Sequence, residues 1–390
     1  MKILAIRMDK IGDALLTVPS FRTLRRMYPD AEITALTNTY NRPIIERIHS
    51  ADKILCADEY SHDELVKLLN ERHYDMLISF HDFQPASDII LELDIPYKMG
   101  TQRNSQHNQD VYPQGFVQNR MHYNHLDRIQ HEAQYTLEIL EHVDAERYHN
   151  ARTDDFILPL TAEEKATAAE FWTREAVTSP VLFVSPAMGG SGLTLPIEAW
   201  AEVLQDFQNA HPDWTILLGC YRPKQAPHDI SIDMHLPFDE YAFCQAINDR
   251  LQKPATIFAN HRSIFHAAAV IQRCDLFLGP STGTFHLAWT QGTPVVGVFG
   301  REPNHCWQRW GSLKQPHYHF VMNEAKEYDR SGSVIMRTLR RWRYSLYKRQ
   351  ERRKHGKFTP KMLYTTFDTA KRKELAALLN QAAAEVTQPH

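Results

Sequence analysis

The chain lacks the raw material for a membrane span, a disulfide framework or a zinc site. Its 390 residues hold no apolar run near the roughly 20 residues that cross a bilayer. Only four apolar residues follow Lys2 before Arg7 and Asp9, too few for a secretory signal. The five cysteines, Cys56, Cys220, Cys244, Cys274 and Cys306, are odd in number and fall at no paired or metal-like spacing, so they read as reduced thiols of a cytoplasmic protein. Cys220 follows an apolar run and is either a small core residue or a neighbour of a ligand. His122, His125 and His131 lie close together, but no acidic or cysteine partner gives a recognisable zinc spacing. Neither strand-to-helix turn described below carries G-x-G-x-x-G, which argues against a dinucleotide oxidoreductase.

What is present is the rhythm of an α/β protein. A hydrophobic content of 43% is globular, and 390 residues exceed one ordinary core and suit two domains of roughly 150 residues each. Apolar runs of strand length at 3–6, 33–36, 76–80, 181–184, 215–218, 276–278 and 295–299 alternate with helical patterns. Short buried runs separated by helices argue for parallel sheets covered on both faces. No internal repeat shows beyond this rhythm. The polar stretch 161–179, just before Pro180, is where the domain boundary is expected. It divides the chain into 1–172, 173–325 and a tail, 326–390, whose end (370–386) is an Ala- and Leu-rich helix.

Three turns carry the chemistry. Residues 276–300 read as strand, small-residue turn, helix and strand, which puts a helix N-terminus with unpaired N–H groups at a strand's carboxyl edge. A phosphate suits that place: Gly283 admits close approach, Ser281, Thr282 and Thr284 supply hydroxyls, and His286 sits early in the helix. The alternative is a well-capped β–turn–α connection, with His286 a packed helix residue. Residues 7–12 form a second such turn, after which Asp13 is either a helix cap or a carboxylate at the ligand edge of an open sheet. In the third loop Gly189 and Gly190 expose N–H groups and Ser191 adds a donor before Pro196 starts a helix; the alternative is a surface loop. Asp9 and Asp13, four residues apart, could hold Mg²⁺, but no Asp-x-Asp sequence reinforces them. Asp9 is therefore expected to be structural, and no metal site is expected.

Asp9-Lys10-Ile11-Gly12-Asp13 with Pro19, Gly189-Gly190-Ser191, and Ser281-Thr282-Gly283 followed by His286-Leu287-Ala288 stand in an order that resembles glycosyltransferase family 9. His131-Glu132 is a weaker match, and the pieces run from residue 1 to about 300. This is the family of the ADP-heptose:lipopolysaccharide heptosyltransferases. The resemblance implies the GT-B architecture, two Rossmann-like doubly wound parallel-sheet domains facing a central cleft, the first binding acceptor and the second nucleotide sugar. It also implies an inverting, metal-independent transferase that uses a nucleotide sugar, with ADP-heptose the expected co-substrate and no other cofactor, on a lipid-linked acceptor in the lipopolysaccharide inner core. Asp13 would be the general base. Gly189 to Ser191, Ser281 to Thr284 and His286 would hold the diphosphate. Arg7, Lys10, Gly12 and Arg301 are candidates for acceptor binding or for meeting charge. Two departures leave sugar and base open. Gly192-Leu193-Thr194 replaces a stretch where heptosyltransferases often have Lys or Arg, and Ser281 stands where they have an acid. Another nucleotide sugar, a sugar-nucleotide epimerase or hydrolase, and a non-catalytic nucleotide- or membrane-binding relative stay open as alternatives.

The other conspicuous feature is 337–361, with eleven Lys or Arg residues and one acid, Glu351. Its charge of about +10 leaves about −13 on the rest of a chain whose net charge is −3. Leu339, Trp342, Tyr344, Leu346 and Tyr347 interleave with the cations, which suits a helix lying on an anionic membrane at the inner face of the inner membrane. A solvated basic helix is the alternative. Nucleic acid is not an expected partner, because no nucleic-acid module surrounds the segment. The last helix is expected to cross back to the first domain.

Overall fold

Runs such as Val181-Leu182-Phe183-Val184 and Val295-Val296-Gly297-Val298-Phe299 are too short for helices and apolar throughout, so they are stable only as strands covered on both faces. In a computed structural model of the chain every residue of both is buried. The structure describes residues 1–80, 86–102, 111–113, 116–118, 129–187, 194–221, 240–300, 305–324 and 365–387, in two units, Met1–Pro159 and Leu160–His390.

The first unit holds β1 (Lys2–Ile6), β2 (Glu32–Thr37), β3 (Lys53–Cys56), β4 (Met76–Ser79), β5 (Tyr97–Gln102) and β6 (Phe116–Gln118). Its helices are α1 (Ile11–Leu16), α2 (Val18–Met27), α3 (Arg42–Ile48), α4 (His62–Glu71), α5 (Ala86–Glu92), α6 (Glu132–Val143) and α7 (Ala145–Ala151). The strands pair in parallel in the order β3-β2-β1-β4-β5-β6.

The second unit holds β7 (Val181–Val184), β8 (Thr215–Tyr221), β9 (Thr256–Asn260), β10 (Leu276–Pro280), β11 (Val295–Phe299) and β12 (His317–Val321). Its helices are α8 (Ala162–Arg174), α9 (Ile197–Ala210), α10 (Glu240–Asn248), α11 (Ile264–Ile271), α12 (Gly283–Thr290), α13 (Trp307–Trp310) and α14 (Thr369–Val386). The parallel order β9-β8-β7-β10-β11-β12 repeats that of the first sheet strand for strand. A short antiparallel pair, Asn323–Glu324 with Thr365–Thr366, lies apart from it.

This strand order decides where a ligand can sit. The chain winds outward in both directions from the central pair, β1/β4 in one sheet and β7/β10 in the other, leaving a crevice at the carboxyl ends of those strands. The turn 7–10 leaves β1 there, and Ser281-Thr282 leaves β10 there. At the second crevice the backbones approach so closely that a Cβ on Gly279 would lie 2.8 Å from the Ser185 carbonyl oxygen.

Two expectations about the organisation need correction. The division falls at 159/160 rather than 172/173, because the polar stretch after Thr161 opens a helix that belongs to the second unit. Thr161 and Glu164 form a reciprocal cap at its start, and Ala168, Phe171 and Trp172 make one buried stripe. That stripe joins the second unit: Phe171 meets the Phe258 ring at 4.9 Å, and Arg273 lies 4.7 Å from the centre of the Trp172 ring. The last helix, expected to return to the first domain, packs instead in the second. Leu375, Leu379, Ala382 and Ala383 are buried in the second unit's core beside Trp200, Leu204 and Phe320. Arg372 pairs with both carboxylate oxygens of Asp206 on α9, at 2.6 Å each.

All five cysteines are buried free thiols. Cys220 is a core residue, its Sγ 3.9 Å from the Phe258 carbonyl.

Candidate active site

In the first unit the turn after β1 is built around one guanidinium. Arg7 is 1% exposed, and its Nη1 donates to the Phe80 carbonyl just past β4. Its remaining nitrogens face carboxylates: Nε is 2.7 Å from Asp9, and Nη2 is 3.1 Å from Asp13 and 3.5 Å from Glu132. A planar fork suits such a three-way task, whereas an ammonium would not. Asn41 donates to the Asp9 carbonyl at 2.7 Å and fastens the turn to the start of α3.

Asp13 lies in the first turn of α1, whose cap is Lys10 with no side-chain bond. The helix thus begins at Ile11 and not at Asp13, so the carboxylate is not the cap that one sequence reading allowed. With a fifth of its side chain exposed, Asp13 is open on one side and held on the other. A cation at 3.1 Å favours the charged carboxylate, the form a base requires. Arg7 is a cation that contacts both Asp9 and Asp13.

Arg7, a candidate for acceptor binding or for meeting charge, is buried among these carboxylates. Gly12 is buried in the first turn of α1. Lys10 is exposed, yet the surrounding protein desolvates its ammonium enough to lower its pKa, against the pull of Asp13 and Asp9. Sequence reasoning missed the part of Glu132. His131 caps α6 by accepting the Ala133 N–H at 3.2 Å, and a Ser20–Thr136 hydroxyl contact of 2.9 Å joins that helix to α2. The weak His131-Glu132 match was the only signal, and it named no role.

In the second unit Thr282 caps α12, its hydroxyl accepting the Phe285 N–H at 3.3 Å. The cap satisfies one orphan donor and leaves the N–H groups of Gly283 and Thr284 without an intrahelical partner. Ser281 to Thr284 are half-buried, so an anion can reach them. His286, by contrast, is 3% exposed. Its Nδ1 accepts the Trp289 indole N–H at 3.2 Å, and its Nε2 lies 3.4 Å from the Ser281 hydroxyl.

Gly189, Gly190, Ser191 and Arg301 lie outside the described residues, as do His122, His125 and the basic segment 337–361. The two ends of the glycine loop are described. The Thr194 hydroxyl donates to the Pro186 carbonyl at 2.6 Å and accepts the Trp200 indole N–H at 3.0 Å, so buried Thr194 ties the loop's exit to its entrance. Among the described residues no three His, Cys, Asp or Glu side chains form a metal-holding group, and no helix is long and apolar enough to cross a membrane.

The family model of glycosyltransferase family 9 (heptosyltransferase) matches residues 63–333, a span that includes the Ser281 turn and begins after Asp13. A Haemophilus influenzae protein provisionally named a glycosyltransferase is 22% identical over 342 residues, 82% of this chain and 88% of that one. Among solved structures, the glycosyl transferase family 9 protein of Veillonella parvula has a TM-score of 0.65 at 15% identity, covering 98% of this chain and 97% of its own. The E. coli ADP-heptose lps heptosyltransferase II has a TM-score of 0.59 at 16% identity, covering 90% of this chain and all of its own. The fold is the one these transferases share, the GT-B type with two parallel-sheet α/β units.

Proposed function

Because the chain belongs to glycosyltransferase family 9 (heptosyltransferase), and is therefore a glycosyltransferase, we propose that it moves a heptose from ADP-heptose to a hydroxyl of the lipopolysaccharide inner core, with inversion and without a metal. The observation that carries this reading is Asp13, partly open to solvent and held charged by buried Arg7 at the carboxyl end of β1. Support for the donor comes from the name of the E. coli relative, which gives ADP-heptose and lipopolysaccharide as its substrates.

In this mechanism the acceptor oxygen attacks the anomeric carbon from the face opposite the leaving diphosphate, and Asp13 takes the proton that oxygen sheds. The bond from the anomeric carbon to the phosphate oxygen breaks, and its electron pair leaves with the nucleoside diphosphate. The N–H groups of Gly283 and Thr284 and the hydroxyls of Ser281 and Thr284 meet the growing charge, aided by Gly189 to Ser191; such donors need no rearrangement at the moment of reaction. Arg7 keeps Asp13 ionised and aimed. Lys10 and Arg301 are the remaining cations for acceptor or phosphate. The enzyme works at the inner face of the inner membrane, where 337–361 holds it to anionic lipid.

A thermal-shift screen of ADP-heptose against UDP-sugars tests the donor, since a ligand that binds only the folded state raises its stability. ADP-heptose is expected to give the largest rise. A larger rise with a UDP-sugar would replace the donor, and consumption of nucleotide sugar with no acceptor present would replace the transferase by an epimerase or hydrolase.

A further inference from the structure

Trp289 can only donate through its indole nitrogen, so the 3.2 Å contact with His286 makes Nδ1 an acceptor. A neutral imidazole with Nδ1 accepting carries its proton on Nε2, and that N–H faces the Ser281 oxygen at 3.4 Å. The Ser281 oxygen then receives a hydrogen bond, and its own hydrogen is left to turn elsewhere. We propose that Trp289 is a positioning residue for the donor: it locks His286 in the Nε2–H form, so that Ser281 presents its hydroxyl hydrogen to a phosphate oxygen of a nucleoside diphosphate. This rests on the phosphate role given above to the Ser281 turn.

The arrangement settles a choice that a serine leaves open. A hydroxyl can either give its hydrogen to an imidazole or receive one from it. Without a fixed tautomer, Ser281 would spend its hydrogen on Nε2 in part of the population. Trp289 removes that option. It is 1% exposed and sits one turn beyond His286 on α12, so ring and imidazole are held by the same packing.

The same bond opposes protonation, because a charged imidazole has a hydrogen on Nδ1 that meets the indole hydrogen head-on. Among the described residues, the titratable or charged groups on the elements around α12 are His266 on α11, Arg309 on α13, and His317, Tyr318 and His319 on β12. Arg309 reaches toward His286 through Trp310: its guanidinium lies 4.4 Å from the centre of that ring, which is 6.2 Å from His286. A cation there also favours the neutral imidazole. The strands beneath, β10 and β11, bring no ionisable side chain.

Histidine ¹⁵N NMR of the ligand-free chain, with the His286 signal assigned by its loss in His286→Asn, reads the tautomer directly. The parent should show the Nε2–H form without titration from pH 5.5 to 8.5, and Trp289→Phe should let the imidazole take up a proton at higher pH than in the parent. An Nδ1–H form, or an ordinary titration in the parent, would overturn the proposal even if Trp289→Phe fails to fold. ADP binding by calorimetry then tests the consequence. Trp289→Phe should weaken ADP about five- to tenfold relative to parent at pH 8, with the ratio closing toward one as the pH falls through the variant's His286 titration, where protonation restores the Nε2 donor. In a Ser281→Ala background the pH-dependent part should vanish. A ratio that does not change with pH would reduce Trp289 to packing. Failure of the parent to bind ADP would count against the phosphate site and leave the tautomer result standing.

Discussion

A guanidinium buried among three carboxylates is a residue whose loss undermines the fold before the chemistry. Arg7→Met removes the only cation that the described ion pairs place on Asp9, Asp13 and Glu132 and leaves like charges close together. Breaking a buried pair from one side costs about 3–5 kcal/mol, so the variant should show a clearly lower denaturant midpoint; an unchanged midpoint would mean that Arg7 stabilises nothing. Glu132 acts on Asp13 through the cation they share. In Glu132→Gln, Asp13 loses a negative neighbour, which lowers its pKa, so the acid limb of the kcat profile should move to lower pH. A limb that stays in place would remove Glu132 from the site. At this scale the sequence was half legible. Asp13 announces itself as a carboxylate at a strand-to-helix junction, but its partners do not, since Glu132 arrives from a distant helix and the Phe80 carbonyl has no sequence signature at all.

Among the elements, the central strands were readable and the edges were not. β1, β4, β7 and β10 are buried on both faces and therefore written as continuous apolar runs. β3, β9 and β12 have a single neighbour in the sheet and mix buried with half-exposed or exposed residues, as in His317-Tyr318-His319-Phe320-Val321. Such mixed patterns look like loop. α8 was hidden for the opposite reason, its charged solvent face outweighing a stripe of three buried residues. Where β9 passes into α11, His266 is 8% exposed, and its Nδ1 lies 3.2 Å from the Asn260 Oδ1. Burial, helped by Arg262, His261 and Arg174, pushes this imidazole down to about 4. The unfolded chain takes up its proton near pH 6.5 and the folded one does not, so stability falls as the pH drops through that window. At pH 5 the loss is about 2 kcal/mol. The drop in Tm between pH 7 and pH 5 should therefore be smaller in His266→Gln than in the parent, and an equal drop would place the acid sensitivity elsewhere.

For the whole molecule, two sheets of identical strand order put a carboxylate at the switch point of one and a capped, N–H-bearing turn at that of the other. That division suits a reaction with a proton to collect and a diphosphate to release. The basic segment supplies a further property. Changing Arg340, Arg341, Arg352 and Arg353 to Gln should weaken binding to anionic vesicles, most visibly at low salt, with ADP affinity unchanged; no vesicle binding by the parent would end the membrane reading. The most direct test of the central claim is transfer by Asp13→Asn, measured with saturating ADP-heptose and a heptose-deficient lipopolysaccharide acceptor in excess chelator. Asparagine keeps the shape of the side chain and cannot take a proton. The parent should turn over fully without metal, and the variant should fold, bind donor and transfer at least about a hundredfold more slowly. A variant that keeps more than about a tenth of parental turnover, against that expected loss, or a parent that the chelator silences and Mg²⁺ restores, would contradict the account.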